Sequence, residues 1–159
     1  MYHTKDKILT LRELIPKIHA WRVKGTHIVF TNGCFDLVHP GHLDYLEKAK
    51  ALGDKLIVGL NADVSVKLLK GKGRPIMEEQ ARAKLLAAME FVDAVTLFEE
   101  ETPAKLIEAI LPDVLVKGGD YIAESIVGYD VVNQNGGEVK ILPFLDGYSS
   151  SSIINRIKR

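Results

Sequence analysis

Among its 159 residues the sequence has a single cysteine, Cys34, which excludes an intrachain disulfide framework and suits a reducing compartment. It has no excess of either charge. Lys+Arg and Asp+Glu number 21 each, so no global field favours nucleic acid or an anionic membrane. No apolar run approaches the roughly 18–20 residues that span a bilayer. The opening Met1-Tyr2-His3-Thr4-Lys5-Asp6-Lys7 leads into no signal-like apolar stretch. Internal repeats, linker-like composition shifts, a His-Glu-x-x-His pair and a glycine-rich Walker loop are all missing. With 47% hydrophobic and 26% charged residues, the chain is nonetheless rich enough to bury a core, which excludes a disordered one. These features predict a cytoplasmic protein folded as one domain over residues 1–159.

Strand-length apolar runs fall at 26–32, 55–60, 92–98, 113–116 and 138–142. Several are apolar on successive residues, the pattern of strands buried on both faces of a parallel sheet. Helix signals lie between them. Thr10-Leu11-Arg12-Glu13 reads as a capping box opening a helix, with Pro16 expected to kink or end it early. Pro40 starts a helix over 41–52, and Glu78-Glu79 start one reaching about Met89. Thr102-Pro103 is expected to cap and open 103–110, a further helix covers about 123–134, and Ser149–Ser152 open the last, to about Lys158. Five strand–helix alternations predict an α/β, Rossmann-like, doubly wound parallel sheet, with residues 1–25 as an N-terminal helical extension.

In such sheets ligands bind beyond the carboxyl ends of the strands, so residues that follow strands carry the information. The first strand leads into Thr31-Asn32-Gly33-Cys34-Phe35-Asp36-Leu37-Val38-His39-Pro40-Gly41-His42. Gly33 permits a tight turn, and His39 and His42 straddle a helix start three apart, so both rings can face one side. A helix N-terminus with two imidazole donors makes a phosphate site. The pair could instead ligate a metal, but no third Cys or His is near, the other histidines being His3, His19 and His27. Cys34 reads as a small loop residue rather than a nucleophile. Lys70, Lys72 and Arg74, spaced by glycines after the second strand, read either as a solvated basic loop or as a mobile clamp on a triphosphate. Glu99–Glu101 read as a solvated face.

The string Thr-x-Gly-x-Phe-Asp-x-x-His-x-Gly-His, on a strand-to-helix turn, resembles the signature of the cytidylyltransferase-like nucleotidyltransferase superfamily. Asn61-Ala62-Asp63, Leu69–Pro75, Leu115–Tyr121 and Asp146–Ile154 narrow the resemblance to its heptose-phosphate adenylyltransferase branch, from about residue 26 onward. The absence of a basic residue in Pro143-Phe144-Leu145-Asp146 departs from the glycerol-phosphate cytidylyltransferases, and four serines stand where Ser-Thr-Thr is more familiar.

The resemblance implies a five-stranded sheet of order 3-2-1-4-5, with the histidine loop and the Lys117 loop flanking one crevice. It implies transfer of AMP from ATP to D-glycero-β-D-manno-heptose 1-phosphate for a lipopolysaccharide core or surface glycan. Catalysis would rest on positioning and charge neutralisation, with no enzyme nucleophile. His39, His42, Lys70 and Arg74 are the implied catalytic residues. Thr31, Asn32, Gly33, Cys34, Phe35, Gly41, Asn61, Asp63, Lys117, Gly119, Asp120, Ser149, Ser150 and Ser151 are the implied binding residues. Mg²⁺ is expected to arrive with the triphosphate rather than in a protein cage. A homodimer and a separate kinase supplying the sugar phosphate are expected as partners. A sister transferase and a non-catalytic nucleotide sensor are the rival readings.

Overall fold

The structure, a computed structural model, describes residues 3–158. Residues 1, 2 and 159, the outer ends of the expected domain, lie outside the described residues. Five parallel strands form one sheet in the order β3-β2-β1-β4-β5: β1 Ile28–Gly33, β2 Lys55–Asn61, β3 Ala94–Phe98, β4 Val114–Gly118 and β5 Glu138–Leu142. The helices are α1 Leu11–Val23, α2 Pro40–Lys50, α3 Asp63–Lys70, α4 Glu79–Ala88, α5 Ala104–Ile110, α6 Tyr129–Gln134 and α7 Ser150–Ile157. The consecutive apolar residues of the inner strands are buried on both faces, as expected for a parallel sheet covered by helices. One core contains Val58, Leu46 and Leu86, the other Phe30, Ile57 and Ile107.

Several local expectations need correction. α1 opens on the Thr10–Glu13 capping box, but it runs unbroken through Pro16. Packing explains this: Leu14 and Ile18, on either side of Pro16, are fully buried and hold both halves against the sheet. Pro103, not Thr102, occupies the cap of α5. The helix expected over 123–134 is two pieces, a 3-10 turn at Ala123–Ser125 and α6, divided by Gly128 at φ 92°. α3 was not expected at all. Its Val64, Leu68 and Leu69 are exposed, so no single buried stripe announces it.

The sheet also opens the crevice. β1 ladders with β2 along its whole length, from Ile28–Lys55 to Gly33–Leu60. Against β4 it pairs only at Val29–Val114 and Phe30–Leu115. Beyond those residues β1 and β4 have no ladder pairs, and Asn32-Gly33 and Lys117-Gly118 wall a cleft at the point where strand order reverses.

Candidate active site

Three lobes of one crevice lie over that cleft. The first, about 250 Å³, is lined by His39, His42, Tyr148 and Ser149–Ser151 among others. The second, about 210 Å³, lies between the Gly33–Asp36 loop and Lys117-Gly118. The third, about 530 Å³, is bounded by Cys34, Asn61, Glu101, Thr102, Lys117 and Val127, with further residues of the same loops. His42, Tyr45, Phe144 and Ser150 are common to the first two, and Asn32, Gly33, Cys34, Lys117 and Tyr121 to the last two. Lys70, at the end of α3, lines all three.

The histidines face one side as their spacing predicts. Their rings stack with centroids 3.8 Å apart and planes 23° apart. Phe35, at φ 45°, lies against His42, and Tyr148 stacks beyond His39. A Cβ at Gly41 would stand 3.0 Å from the His39 ring and 3.2 Å from Tyr148, so the residue between the histidines must be small. Burial lowers the pKa of His39. Burial, then His39 and Lys70, bring that of His42 to about 4. Both rings are therefore neutral at pH 7. Each Nδ1 is buried without a hydrogen-bond partner, which leaves Nε2 as the ring nitrogen for a ligand. Unsatisfied buried polar atoms are uncommon, and two of the four among the described residues belong to this pair at a helix N-terminus.

α7 meets this pair from across the first lobe. Ser149 caps the helix by accepting from Ser152 N at 3.0 Å, and Ser150 Oγ donates to Leu37 O at 3.1 Å, docking α7 on the histidine loop. Ser151 Oγ makes no hydrogen bond among the described residues and lines the lobe. Lys117 projects between the second and third lobes with its ammonium 5.9 Å from the Tyr121 ring, and burial lowers its pKa. Cys34 lies beside it, its thiol pKa pushed up by burial, which agrees with a loop residue rather than a nucleophile.

Of the residues implied by the resemblance, His39, His42, Gly41, Lys70, Asn32, Gly33, Cys34, Phe35, Asn61, Lys117 and Ser149–Ser151 line the crevice. Five do not. Thr31 is fully buried, its hydroxyl 2.6 Å from that of Tyr45, so it orients the wall rather than facing a ligand. Arg74 is drawn into an ion pair with buried Asp36, Nε to Oδ2 at 2.6 Å. Asp63 pairs with Arg82 at 2.7 Å. Gly119 lies under Phe144, and Asp120 is exposed outside all three lobes. Tyr45, Gly118, Tyr121, Phe144, Leu145 and Tyr148 are lining residues that sequence reasoning passed over. Gly118 admits the Phe144 ring so closely that a Cβ would stand 2.5 Å from it. Glu101, read as part of a solvated face, lines the third lobe.

The donor set suits an oligophosphate better than a bare cation. Imidazoles, lysines and hydroxyls converge, and no group of three or more His, Cys, Asp or Glu among the described residues could hold a metal ion. Asp36, the carboxylate nearest the histidine loop, is already saturated. Burial opposes its charge, but the Met77 and Ile76 N–H groups and Arg74 hold it below the usual carboxylate range. No helix among the described residues is long and apolar enough to cross a membrane.

Residues 30–156 match the cytidylyltransferase-like family. The chain is 51% identical over 146 residues to the bifunctional protein HldE of Bradyrhizobium sp., covering 92% of this chain and 30% of that protein. It is 52% identical over 153 residues to the HldE of Geobacter metallireducens, covering 96% and 31%. The chain thus spans about 30% of the length of these curated relatives. A lipopolysaccharide core biosynthesis protein from Thermoplasma volcanium superposes with a TM-score of 0.61 at 31% identity, covering 79% of this chain and all of that one. A pantoate-beta-alanine ligase from Francisella tularensis, at 15% identity and TM-score 0.64, shares the fold.

Proposed function

This chain belongs to the cytidylyltransferase-like family, and on that premise we propose that it transfers AMP from ATP to D-glycero-β-D-manno-heptose 1-phosphate. An oxygen of the sugar phosphate attacks the α-phosphorus, the α–β bridging P–O bond breaks, and pyrophosphate leaves with ADP-heptose as product. The observation that carries the reading is the stacked, neutral His39–His42 pair at the start of α2, facing Lys70 and the α7 serines across a 250 Å³ lobe. The attacking phosphate is already anionic, so the site needs donors and fixed geometry rather than a base.

The triphosphate belongs in the first lobe, with His39 and His42 donating to oxygens whose charge grows in the transition state. Ser151, Ser149 and the α7 N-terminus would receive the β,γ-phosphates. Asn32, Gly33 and Phe35 form the floor beneath the α-phosphate, and the Lys117-Gly118 side holds the nucleoside. The sugar belongs in the 530 Å³ lobe, where the Asn61 amide, Thr102 and Glu101 offer partners for hydroxyls and Lys70 and Lys117 stand by the phosphate end. Mg²⁺ would be held by phosphate oxygens and water and would neutralise charge on the leaving group.

The reading extends to a cytoplasmic location, where ATP and a reduced Cys34 coexist, to a homodimer, and to a kinase upstream that makes the 1-phosphate. Residues 1–159 act in it as a single nucleotidyltransferase domain, and its product suits lipopolysaccharide core or another surface glycan. Pyrophosphate release tests it, with Mg²⁺, ATP or CTP, and a panel of sugar and polyol phosphates. Release with ATP and the heptose 1-phosphate, and little with CTP, is the expected outcome. Release with CTP and glycerol 3-phosphate would move the chain to the sister reaction, and ATP binding without any release would make it a sensor.

A further inference from the structure

Three segments that wall the crevice, and a fourth that precedes α4, meet at one buried guanidinium outside it. Arg82 of α4 is fully buried and lines none of the three lobes. Its Nε donates to Met77 O at 2.9 Å, and its Nη2 to Asp63 Oδ1 at 2.7 Å. Its Nη1 donates to both Cys34 O at 2.7 Å and Asn61 O at 2.8 Å. Those partners come from the loop after β1, the end of β2, the start of α3 and the segment before α4.

A buried cation is a costly way to fill a core position, and an apolar residue of similar size often packs there at lower cost. What an apolar residue cannot do is satisfy three carbonyls that belong to three different segments. A planar fork with five N–H donors can, and a lysine ammonium with three cannot reach all four acceptors. Asp36 repeats the arrangement with opposite sign a few residues away. Its fully buried carboxylate accepts from Arg74 Nε, Ile76 N and Met77 N. Residues 74–82 are thereby fastened to residues 34–36.

We infer that Arg82 is a positioning residue for the transfer, setting the spacing between the nucleotide lobe and the acceptor lobe. Nη1 is the decisive atom. It ties the carbonyls of Cys34 and Asn61 to a single nitrogen, and these two residues wall the third lobe on the β1 and β2 sides. Cys34 also lines the second lobe and leads, through Phe35 and Asp36, into the histidine loop. In-line attack on the α-phosphorus depends on that spacing, and a misplacement of about 1 Å can cost on the order of a hundredfold in rate. The inference rests on the proposed transfer for its kinetic meaning, but its geometric half does not.

The test uses Arg82→Lys in the whole chain, with Asp63→Asn as a milder variant that weakens one arm of the fork. Two readouts are taken at a temperature where circular dichroism shows each variant folded. Turnover of pyrophosphate release is expected to fall roughly ten- to hundredfold in Arg82→Lys and less in Asp63→Asn, with the ATP dissociation constant little changed. Labelling of Cys34, the only thiol in the chain, by a disulfide reagent is expected to accelerate in the same order, because its carbonyl has lost its tether. Unchanged labelling in folded Arg82→Lys overturns the tether. Faster labelling with unchanged turnover overturns the positioning role. A wild-type protein silent with the heptose phosphate defeats the proposed function instead, and labelling alone then decides the tether. If Arg82→Lys does not fold, Asp63→Asn carries both readouts.

Discussion

The two ends of the sheet differ: beside the Asp36–Arg74 and Asp63–Arg82 pairs, the carboxyl ends hold cleft lysines that have no ion partner among the described residues. At the amino ends, an aspartate stands one residue before each of β2, β3 and β4, and each caps a neighbouring strand. Asp54 accepts from His27 N at 2.8 Å, Asp93 from Leu56 N at 2.8 Å, and Asp113 from Ile28 N at 2.7 Å. Asp93 also pairs with Lys50 and Lys55. At the carboxyl ends, Lys70 and Lys117 make no ion pair among the described residues, and both histidine Nδ1 atoms lack partners. A charge that finds its partner within the chain supports the fold. One held at a cleft without a partner favours a ligand of opposite sign, at some cost to stability.

The sharpest break in that contrast is expected at His42. His42→Ala removes one transition-state donor, a loss of about 3–4 kcal/mol, and should lower turnover on the order of a hundredfold or more with modest change in ATP affinity. Single-turnover kinetics on the folded variant check this, and unchanged turnover would remove His42 from the site. Lys117→Met comes next. Losing one charge-assisted phosphate contact should cost about 1.5–3 kcal/mol in kcat/KM. The same change should raise Tm by roughly 1–3 °C, because burial already disfavours the ammonium. A variant that loses both activity and stability would place Lys117 with the structural charges.

Asp93→Asn is the counterpart at the amino ends. Lys50 and Lys55 are partly exposed, at 28% and 35%, so the loss should be only about 1–2 kcal/mol, or roughly 3–6 °C in Tm. Turnover at 25 °C should not move. A drop in turnover without a drop in Tm would erase the distinction between the two ends.

The same contrast explains what could be read in advance. The sheet order was implied by the family resemblance that the histidine motif carries, and the strands followed from their apolar runs. That His39, His42 and Ser149–Ser151 would meet at one lobe was legible because helix starts announce themselves through proline, glycine and serine. Arg74 and Asp63 stand outside the crevice for a reason charge alone does not show, that each has a partner within the chain. Asp36 and Arg82, 38 and 19 residues away respectively, supply those partners. Tyr45, Phe144 and Tyr148 were missed for a related reason. An aromatic lining a cleft and one filling a core look alike until the glycines beside them, Gly41 and Gly118, are seen in place.

The smallest expected effect separates the two ends by acid alone. An unfolded histidine titrates near 6.5, and His42 in the fold titrates at about 4. Between those values the unfolded chain binds the extra proton, so stability falls as pH drops from about 6.5 toward 4 and is unaffected above about 7. His39 shifts in the same direction and adds to the slope. Asp93 is held below its ordinary value, since the hydrogen bonds from Lys50, Lys55 and Leu56 outweigh the burial that opposes its charge. Its contribution is present above the unfolded carboxylate range and is lost as pH falls through its lowered value. Acidification should therefore loosen the carboxyl ends first and the amino ends later. Denaturant titrations at successive pH values are expected to show His42→Gln flattening the slope between about pH 6.5 and 4, and Asp93→Asn altering only the region below it. Turnover between about pH 7 and 8 should stay nearly level, because both rings are neutral there. A loss of turnover as pH rises through about 7 would mean that a histidine at the cleft works as a cation, and that the carboxyl ends carry more charge than their burial allows.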